Sequence, residues 1–315
     1  MTDANPSQPR VLPADEEGIS EAVRLLGEGA CVALPTETVY GLAARADLAA
    51  AVAGIYKAKG RPDFNPLIVH VPDLLAAERL AHLDDRARTL AEHFWPGSLT
   101  MVLPIRDDSG LAPAVTAGLS TVALRMPSHQ TMRAVLLAAP APLAAPSANR
   151  SGAVSPTSAA HVASSLEGRI PMVLDGGETE RGLESTIVAV RENGWQILRP
   201  GPVTEAEIAA VLGPAIAGST KGIEAPGQLA SHYAPGKPVR LEALDAQEGE
   251  FRIGFGTDGG DFNLSPSGDL AEAASRLYAA LHAASAAPQP RVAVVPIPHE
   301  GIGVAINDRL ARAAA

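Results

Sequence analysis

The chain has 315 residues, 46% of them hydrophobic but only 3% aromatic, with a formal net charge of −10 and one cysteine. That length accommodates two domains whose cores must be built from Ala, Val, Leu and Ile. A lone Cys31 in an apolar run excludes an internal disulfide and reads as a buried small hydrophobe, scattered histidines argue against structural zinc, and the acidic balance argues against a broad nucleic-acid surface.

The first ten residues, MTDANPSQPR, are polar and carry no basic and apolar leader, and no apolar run is long enough to span a bilayer. Residues 1–14 are therefore expected to be a disordered tail on a cytoplasmic protein with no membrane partner. From 15 to 212, strands are predicted at 30–34, 67–71, 99–103, 121–125, 172–174, 186–190 and 196–198, and helices at about 16–28, 47–58, 84–94, 128–139, 157–166 and 204–212. Asp47 is a candidate N-cap, and Thr204 with Glu207 forms a capping box. The alternation implies an α/β layer structure, with a mixed sheet allowed by the closely spaced strand pairs. Residues 213–238 are rich in Gly, Pro, Ala and Ser without periodicity and read as a linker. A second α/β unit fills 239–315, with strands at 239–241, 252–255 and 291–296, a long helix from Ser267 or Asp269 to about 286, and a terminal helix at 304–313.

The densest chemistry lies in KAKGRPDFNPLIVH. Lys57, Lys59 and Arg61 gather at a helix end in a chain of net charge −10, which suits an anionic ligand. The negative pole of a helix C-terminus favours Lys and Arg as well. In PTETVYGL, Thr36, Glu37 and Thr38 leave the carboxyl end of a buried strand, where α/β proteins place ligand contacts; the β propensity of Thr accounts for them equally. Arg125 and Arg199 end apolar strands and are expensive to bury unless paired, so both are candidate carboxylate clamps. Glu184-Ser185-Thr186 enters a strand after the turn Asp175-Gly176-Gly177. In APSANRSG, Ser147 and Asn149 stand two apart and share a side in extended geometry. They serve either turn chemistry or the gripping of phosphate and ribose oxygens. Gly254, Gly256 and Gly259 match a dinucleotide fingerprint only formally, because Asp258, Gly259, Gly260 and Asp261 prolong a turn instead of opening a helix. With no Cys-His, Ser-His-Asp or metal cluster in the sequence, the shared pattern is a site that holds and aligns anions without covalent attack.

The blocks PTETVYGL, KAKGRPDFNPLIVH, FWPGSLTMVL, ALRMPSH, APSANRSG, LDGG, ESTIV and LRPG follow one another in the order found in the YrdC-like domain of threonylcarbamoyl-AMP synthases. The resemblance covers about 15–212, and HYAP followed by a C-terminal α/β unit resembles the long, two-domain form. It implies an α/β fold: a YrdC-like catalytic domain (15–212) with a twisted mixed sheet and flanking helices, a linker or lid (213–238), and a smaller Rossmann-like α/β domain (239–315). It further implies condensation of L-threonine, bicarbonate or CO2, and ATP, accompanied by Mg2+, into threonylcarbamoyl-adenylate and pyrophosphate; the sequence itself shows no dedicated carboxylate cage for the metal. A downstream tRNA threonylcarbamoyltransferase would then modify adenosine 37 of tRNAs reading ANN codons, with at most transient tRNA contact by this chain. Carried over by motif, Lys59 and Arg61 form a K-x-R element, and Ser147 and Asn149 an S-x-N element, at the catalytic centre. Arg61, Asn65, Thr121, Ser147, Ser155 and Arg199 are implied to contact ATP, with Tyr233 reaching onto it from the linker. Thr38, His70, Arg125, Ala145 and Ser185 are implied to line the threonine pocket, Arg125 on the carboxylate. One departure is the uncharged Gln228-Leu229-Ala230-Ser231 before His232, where members often carry Lys or Arg. An RNA-binding maturation factor is the alternative the resemblance leaves, and the acidic balance counts against it.

Overall fold

A large mixed sheet and a smaller parallel one organise residues 8–216, 224–227 and 232–315, which are the residues the computed structural model describes. In chain order the first unit runs β1 (Arg10–Pro13), α1 (Glu16–Gly27), β2 (Val32–Leu34), β3 (Gly41–Arg45), α2 (Ala49–Lys59), β4 (Ile68–His70), α3 (Leu74–Leu80), α4 (Asp85–Phe94), β5 (Leu99–Pro104), α5 (Pro113–Thr116), β6 (Thr121–Arg125), α6 (Gln130–Ala138), β7 (Leu143–Ala144), α7 (Ala159–Ser165), β8 (Met172–Asp175), β9 (Thr186–Arg191), β10 (Gly194–Arg199) and α8 (Glu205–Leu212). Its strands lie in the order β1-β8-β2-β3-β7-β4-β6-β5-β9-β10. The second unit runs β11 (Val239–Arg240), β12 (Glu250–Gly254), β13 (Phe262–Asn263), α9 (Leu270–Ala286), β14 (Arg291–Val294) and α10 (Gly303–Ala313). Its sheet is wholly parallel, ordered β11-β14-β12-β13. The fold class is the α/β mixed sheet plus smaller Rossmann-like unit that the sequence implies.

Side-chain alternation decides where a site can form. Successive strand residues point to opposite faces. Leu67, Val69, Leu99, Met101, Leu103, Val122, Leu124, Val188 and Val190 all join the main core under the helices. Their neighbours Ile68, Val102, Ala123, Ile187 and Ala189 form a separate small apolar floor on the other face. His70 and Arg125 share that second face and stand side by side in register on β4 and β6. The second unit docks against loops of the first unit. Its own core takes in Val39, Val154 and Leu183 from three loops of the first unit.

Several local expectations change. Arg10–Pro13 is a strand paired in parallel with β8, so the disordered tail expected for 1–14 does not extend to it; the strand is short and flanked by prolines, and it forms because β8 offers an unpaired edge. β3 and β7, GLAAR and LA, went unread because Gly and Ala have low strand propensity; both are held by neighbours on either side. Helix α3 also went unread, although its Asp73 accepts from the Ala76 amide as an N-cap. Asp47 is not a cap: Leu48 occupies that position, and the Asp47 carboxylate pairs with Arg45. The Thr204–Glu207 capping box is present. The Gly254–Gly260 loop folds back on β12, with the Arg252–Asp258 ion pair closing it, and opens no helix.

Candidate active site

A cavity of about 50 Å³ lies over the second face of the large sheet. Ile68, His70 and Arg125 form part of its floor, Thr36, Thr38 and Gly41 one wall, Ala145 to Ser147 a second, and Glu184, Ser185 and Arg199 a third. Pro226, Gly227, His232 and Tyr233 roof it. That volume holds a few waters.

Arg125 is 4% exposed and bonded in three directions. Its Nε donates to the Gly97 carbonyl at 3.1 Å, one terminal nitrogen to Thr38 Oγ1 at 2.8 Å and the other to Glu37 Oε1 at 2.6 Å. Thr38 is in turn fixed by Thr36, whose hydroxyl donates to the Val39 carbonyl. Burial alone would raise the Glu37 carboxyl, but the Arg125 charge and hydrogen bond hold it at about 2. His70 is buried, which pushes it down to about 3, and its Nδ1 has no partner. The imidazole is therefore neutral and free to bond a ligand. Ser185 Oγ meets Thr100 Oγ1 at 2.7 Å, which leaves this end polar, neutral and shaped.

The other end is cationic. Lys59 Nζ donates to the carbonyls of Ser147 and Asn149, each at 2.5 Å. Arg61 donates to the carbonyls of Asn65 and Pro66, and Arg199 to the carbonyl and hydroxyl of Ser185. All three cations are at most 9% exposed. Burial, reinforced by Arg61, pushes Lys59 far below the usual lysine range; burial also lowers Arg61, to about 10, and Arg199. The carboxylate at the rim, Glu184, is held at about 2 against its burial by the charges of Arg309 and Arg199 and by hydrogen bonds from Ser155 and Tyr278.

The implied site residues thus fall into groups. Thr38, Arg61, His70, Arg125, Ala145, Ser147, Ser185, Arg199 and Tyr233 all line the cavity. Lys59, Asn65, Asn149 and Ser155 are buried one layer out: Lys59 bonds the Ser147 carbonyl, Asn65 bonds Arg61, and Ser155 Oγ donates to Glu184 at 2.5 Å. Asn149 turns its amide toward the Arg150 and Ala153 carbonyls. Thr121 stands apart, at the opposite end of β6 from Arg125 and about 13 Å away along the extended strand. Lys57 is exposed on α2 and takes no part. The uncharged stretch Gln228 to Ser231 lies outside the described residues.

Sequence reading missed three contributors. Gly227, with φ +84°, lies against Arg199 and the Tyr233 hydroxyl so closely that a Cβ would sit 2.8 Å from Arg199 Cδ. Arg309 and Tyr278 reach Glu184 from the second unit. A signal for Arg309 existed: it sits in the apolar stripe Ala305, Ile306, Leu310 and Ala313 of α10, where a charge needs a buried partner. Nothing in the sequence marked Gly227 or Tyr278.

Comparisons with known proteins identify the family. The family described as "Telomere recombination" matches residues 24–201, and that described as "Threonylcarbamoyl-AMP synthase, C-terminal domain" matches 203–315. The chain is 40% identical to the threonylcarbamoyl-AMP synthase of Bacillus subtilis, across 96% of this chain and 94% of the relative. It is 39% identical to that of Pyrococcus abyssi, across 95% and 94%. The crystal structure of P. abyssi Sua5 complexed with L-threonine superposes with a TM-score of 0.89 at 36% identity, covering 97% of each chain. The likeness thus extends over nearly the whole length of both units, and the chain belongs to the Sua5 family of threonylcarbamoyl-AMP synthases in its two-domain form.

Proposed function

We propose that this chain condenses L-threonine, CO2 or bicarbonate, and ATP into threonylcarbamoyl-adenylate, releasing pyrophosphate. One observation carries the reading: Lys59, Arg61 and Arg199 are buried around a single cavity, and their hydrogen bonds go to carbonyl and hydroxyl oxygens, not to carboxylates. Buried cations with no carboxylate hydrogen-bonded to them are costly unless an anionic ligand repays them on binding. A triphosphate is such a ligand, and the relatives' names supply the rest of the substrate set.

The chemistry divides between the two ends. At the neutral end, Arg125 takes the threonine carboxylate, steered by Thr38 and Glu37, while Ser185 and the neutral His70 bond its polar groups. The threonine amine loses a proton and bonds the carbon of CO2, or of bicarbonate with loss of water, to give a carbamate. A carbamate oxygen then attacks the α-phosphorus, the bond from that phosphorus to the β-phosphate oxygen breaks, and pyrophosphate leaves. Both reactants are anionic. The fixed guanidiniums of Arg61 and Arg199, joined by Lys59 once an anionic ligand favours its charged form, offset their repulsion and the charge of the pentavalent centre. Tyr233 keeps water from the adenylate.

The residues present do not fit a magnesium ion ligated by the protein. Among the described residues no three of His, Cys, Asp and Glu come together, and Glu37 and Glu184 are committed to Arg125 and Arg309. Magnesium would enter on the triphosphate as part of the substrate. The product would pass to a tRNA threonylcarbamoyltransferase for t6A formation at adenosine 37 of ANN-reading tRNAs, with at most transient tRNA contact here. The test is pyrophosphate release by the purified protein with ATP–Mg, bicarbonate and threonine. Release is expected with threonine and is to fall at least tenfold with serine, since one methyl group in a shaped pocket is worth about 1–3 kcal/mol. Absence of pyrophosphate with threonine overturns the reading.

A further inference from the structure

Arg309, in the last helix of the second unit, is fully buried and touches three separate parts of the site, two on the first unit and one on the linker. Its Nε donates to Glu184 Oε2 at 3.0 Å, and Nη2 donates to the Pro200 carbonyl, next to Arg199, at 3.0 Å. The guanidinium carbon lies 5.4 Å from the ring centroid of Tyr233, within cation–π range. The remaining nitrogen donates to Asp308 at 2.6 Å, which fixes the fork in this orientation. Glu184 is the hub of the arrangement. It also accepts from Ser155 Oγ at 2.5 Å and from Tyr278 of α9 at 2.7 Å.

Tyr233 needs such support. It is 1% exposed and holds φ +63°, a left-handed conformation that a residue with a Cβ adopts only at a cost of about 1–2 kcal/mol. Among the described residues, the backbone of its segment is held by the His232 amide on the Arg312 carbonyl and the Ala234 amide on the Gly152 carbonyl. The ring is flanked by Tyr278, at 5.4 Å between centroids, and by Arg309. Docking of α9 is itself close: a Cβ at Gly182 would lie 2.3 Å from the Ser275 carbonyl.

We infer that Arg309 is a positioning residue of the active site, holding Tyr233 in its closed, left-handed conformation and Glu184 in line with the cationic wall, so that the nucleotide end of the cavity is complete only with the second unit docked. The inference deepens the proposed function and rests on it for the identity of the nucleotide. Its geometric content, the closed lid, does not.

Two readouts separate the claims. Hydrogen–deuterium exchange of the Ala234 amide reports the lid with no substrate present. Steady-state pyrophosphate kinetics report the site. Three variants are compared with wild type: Arg309→Met, Arg309→Lys and Glu184→Gln/Arg309→Met. The double variant removes the carboxylate that Arg309→Met would leave buried and unpaired, so it keeps the fold while lacking the guanidinium. Lysine preserves the ion pair but cannot also bond Pro200 and lie flat on the ring. Ala234 exchange at least tenfold faster than wild type in the double and lysine variants is expected, with protection of the β4 amides unchanged. The KM for ATP is expected to rise at least tenfold, with the KM for threonine within twofold. Wild-type lid protection in the double variant, or a fall in kcat alone with both KM values unchanged, as loss of folded protein would give, overturns the inference. If wild type forms no pyrophosphate, the proposed function fails while the exchange result still decides the role of Arg309.

Discussion

A lysine or arginine becomes informative when it is buried without an anion. Arg61 and Lys59 differ in what removal exposes. Arg61→Ala deletes a cation that the triphosphate would meet, and is expected to lower turnover roughly 100-fold, the scale of losing one preorganised electrostatic donor. Its melting temperature should stay close to wild type, because Arg61 itself lines the cavity and water can take the place of its guanidinium; unchanged turnover would remove Arg61 from the chemistry. Lys59 also closes two buried carbonyls, so its loss mixes activity with stability and makes the poorer test. Gly227 gives the sharper one. At φ +84° over Arg199, alanine meets both backbone strain and a displaced guanidinium. Gly227→Ala should raise the KM for ATP about tenfold, for a strain of about 1–2 kcal/mol, and nucleotide titration by calorimetry checks it; an unaltered ATP affinity would mean the roof tolerates a Cβ.

At the scale of elements, helix α2 separates two readings of one cationic run. Its C-cap Gly60 is left-handed, with Lys57 and Lys59 both in the last turn. Lys57 points to solvent, answering the helix pole, and Lys59 turns inward. Lys57→Ala should therefore cost at most about 0.5 kcal/mol, measured by urea unfolding, and leave the ATP KM within twofold; a tenfold rise would return it to the anion site. Much of this level was legible. Long periodic segments such as α1, α9 and α10 and the apolar strands β5, β6 and β9 follow from spacing alone. What escaped was what neighbours impose: β3 and β7 exist because flanking strands satisfy their amides, and Asp47 does not cap because Arg45 takes its carboxylate. The site was legible as a list of strand-end residues, but not as a surface. His70 and Arg125 are placed by the pleat on the sheet face, and Glu184 meets its partner Arg309 across 125 positions, a distance over which no local pattern carries information.

At the scale of the molecule, the two units meet at a stacked pair of histidines. His161 of α7 and His282 of α9 stack with ring centroids 3.7 Å apart and planes 14° from parallel. His282 Nε2 bonds the Ser155 carbonyl, and His161 Nδ1 lies 3.3 Å from the Thr157 hydroxyl. Burial, then the neighbouring His161, push His282 down to about 4, and burial lowers His161 as well. A histidine whose folded pKa lies below its unfolded value of 6.5 binds its proton more readily in the unfolded chain. Stability is then complete above pH 6.5 and declines as the pH falls toward 4, with a slope of up to about 1.4 kcal/mol per pH unit for each such group. Glu37 and Glu184, held at about 2, contribute in the opposite charge sense. Their stabilisation is present above pH 4.5 and is lost only as the pH drops toward 2, so they leave the window between 6.5 and 4.5 to the histidines. His70 and His232, both near 3, add to the same acid loss, and a single substitution isolates the stack. His282→Gln keeps a donor for the Ser155 carbonyl and cannot be charged. Urea unfolding of this variant at pH 7 and pH 5 should show a smaller loss of stability than wild type over that interval. An equal loss in both would mean that protons at the domain junction do not govern how firmly the second unit closes the site.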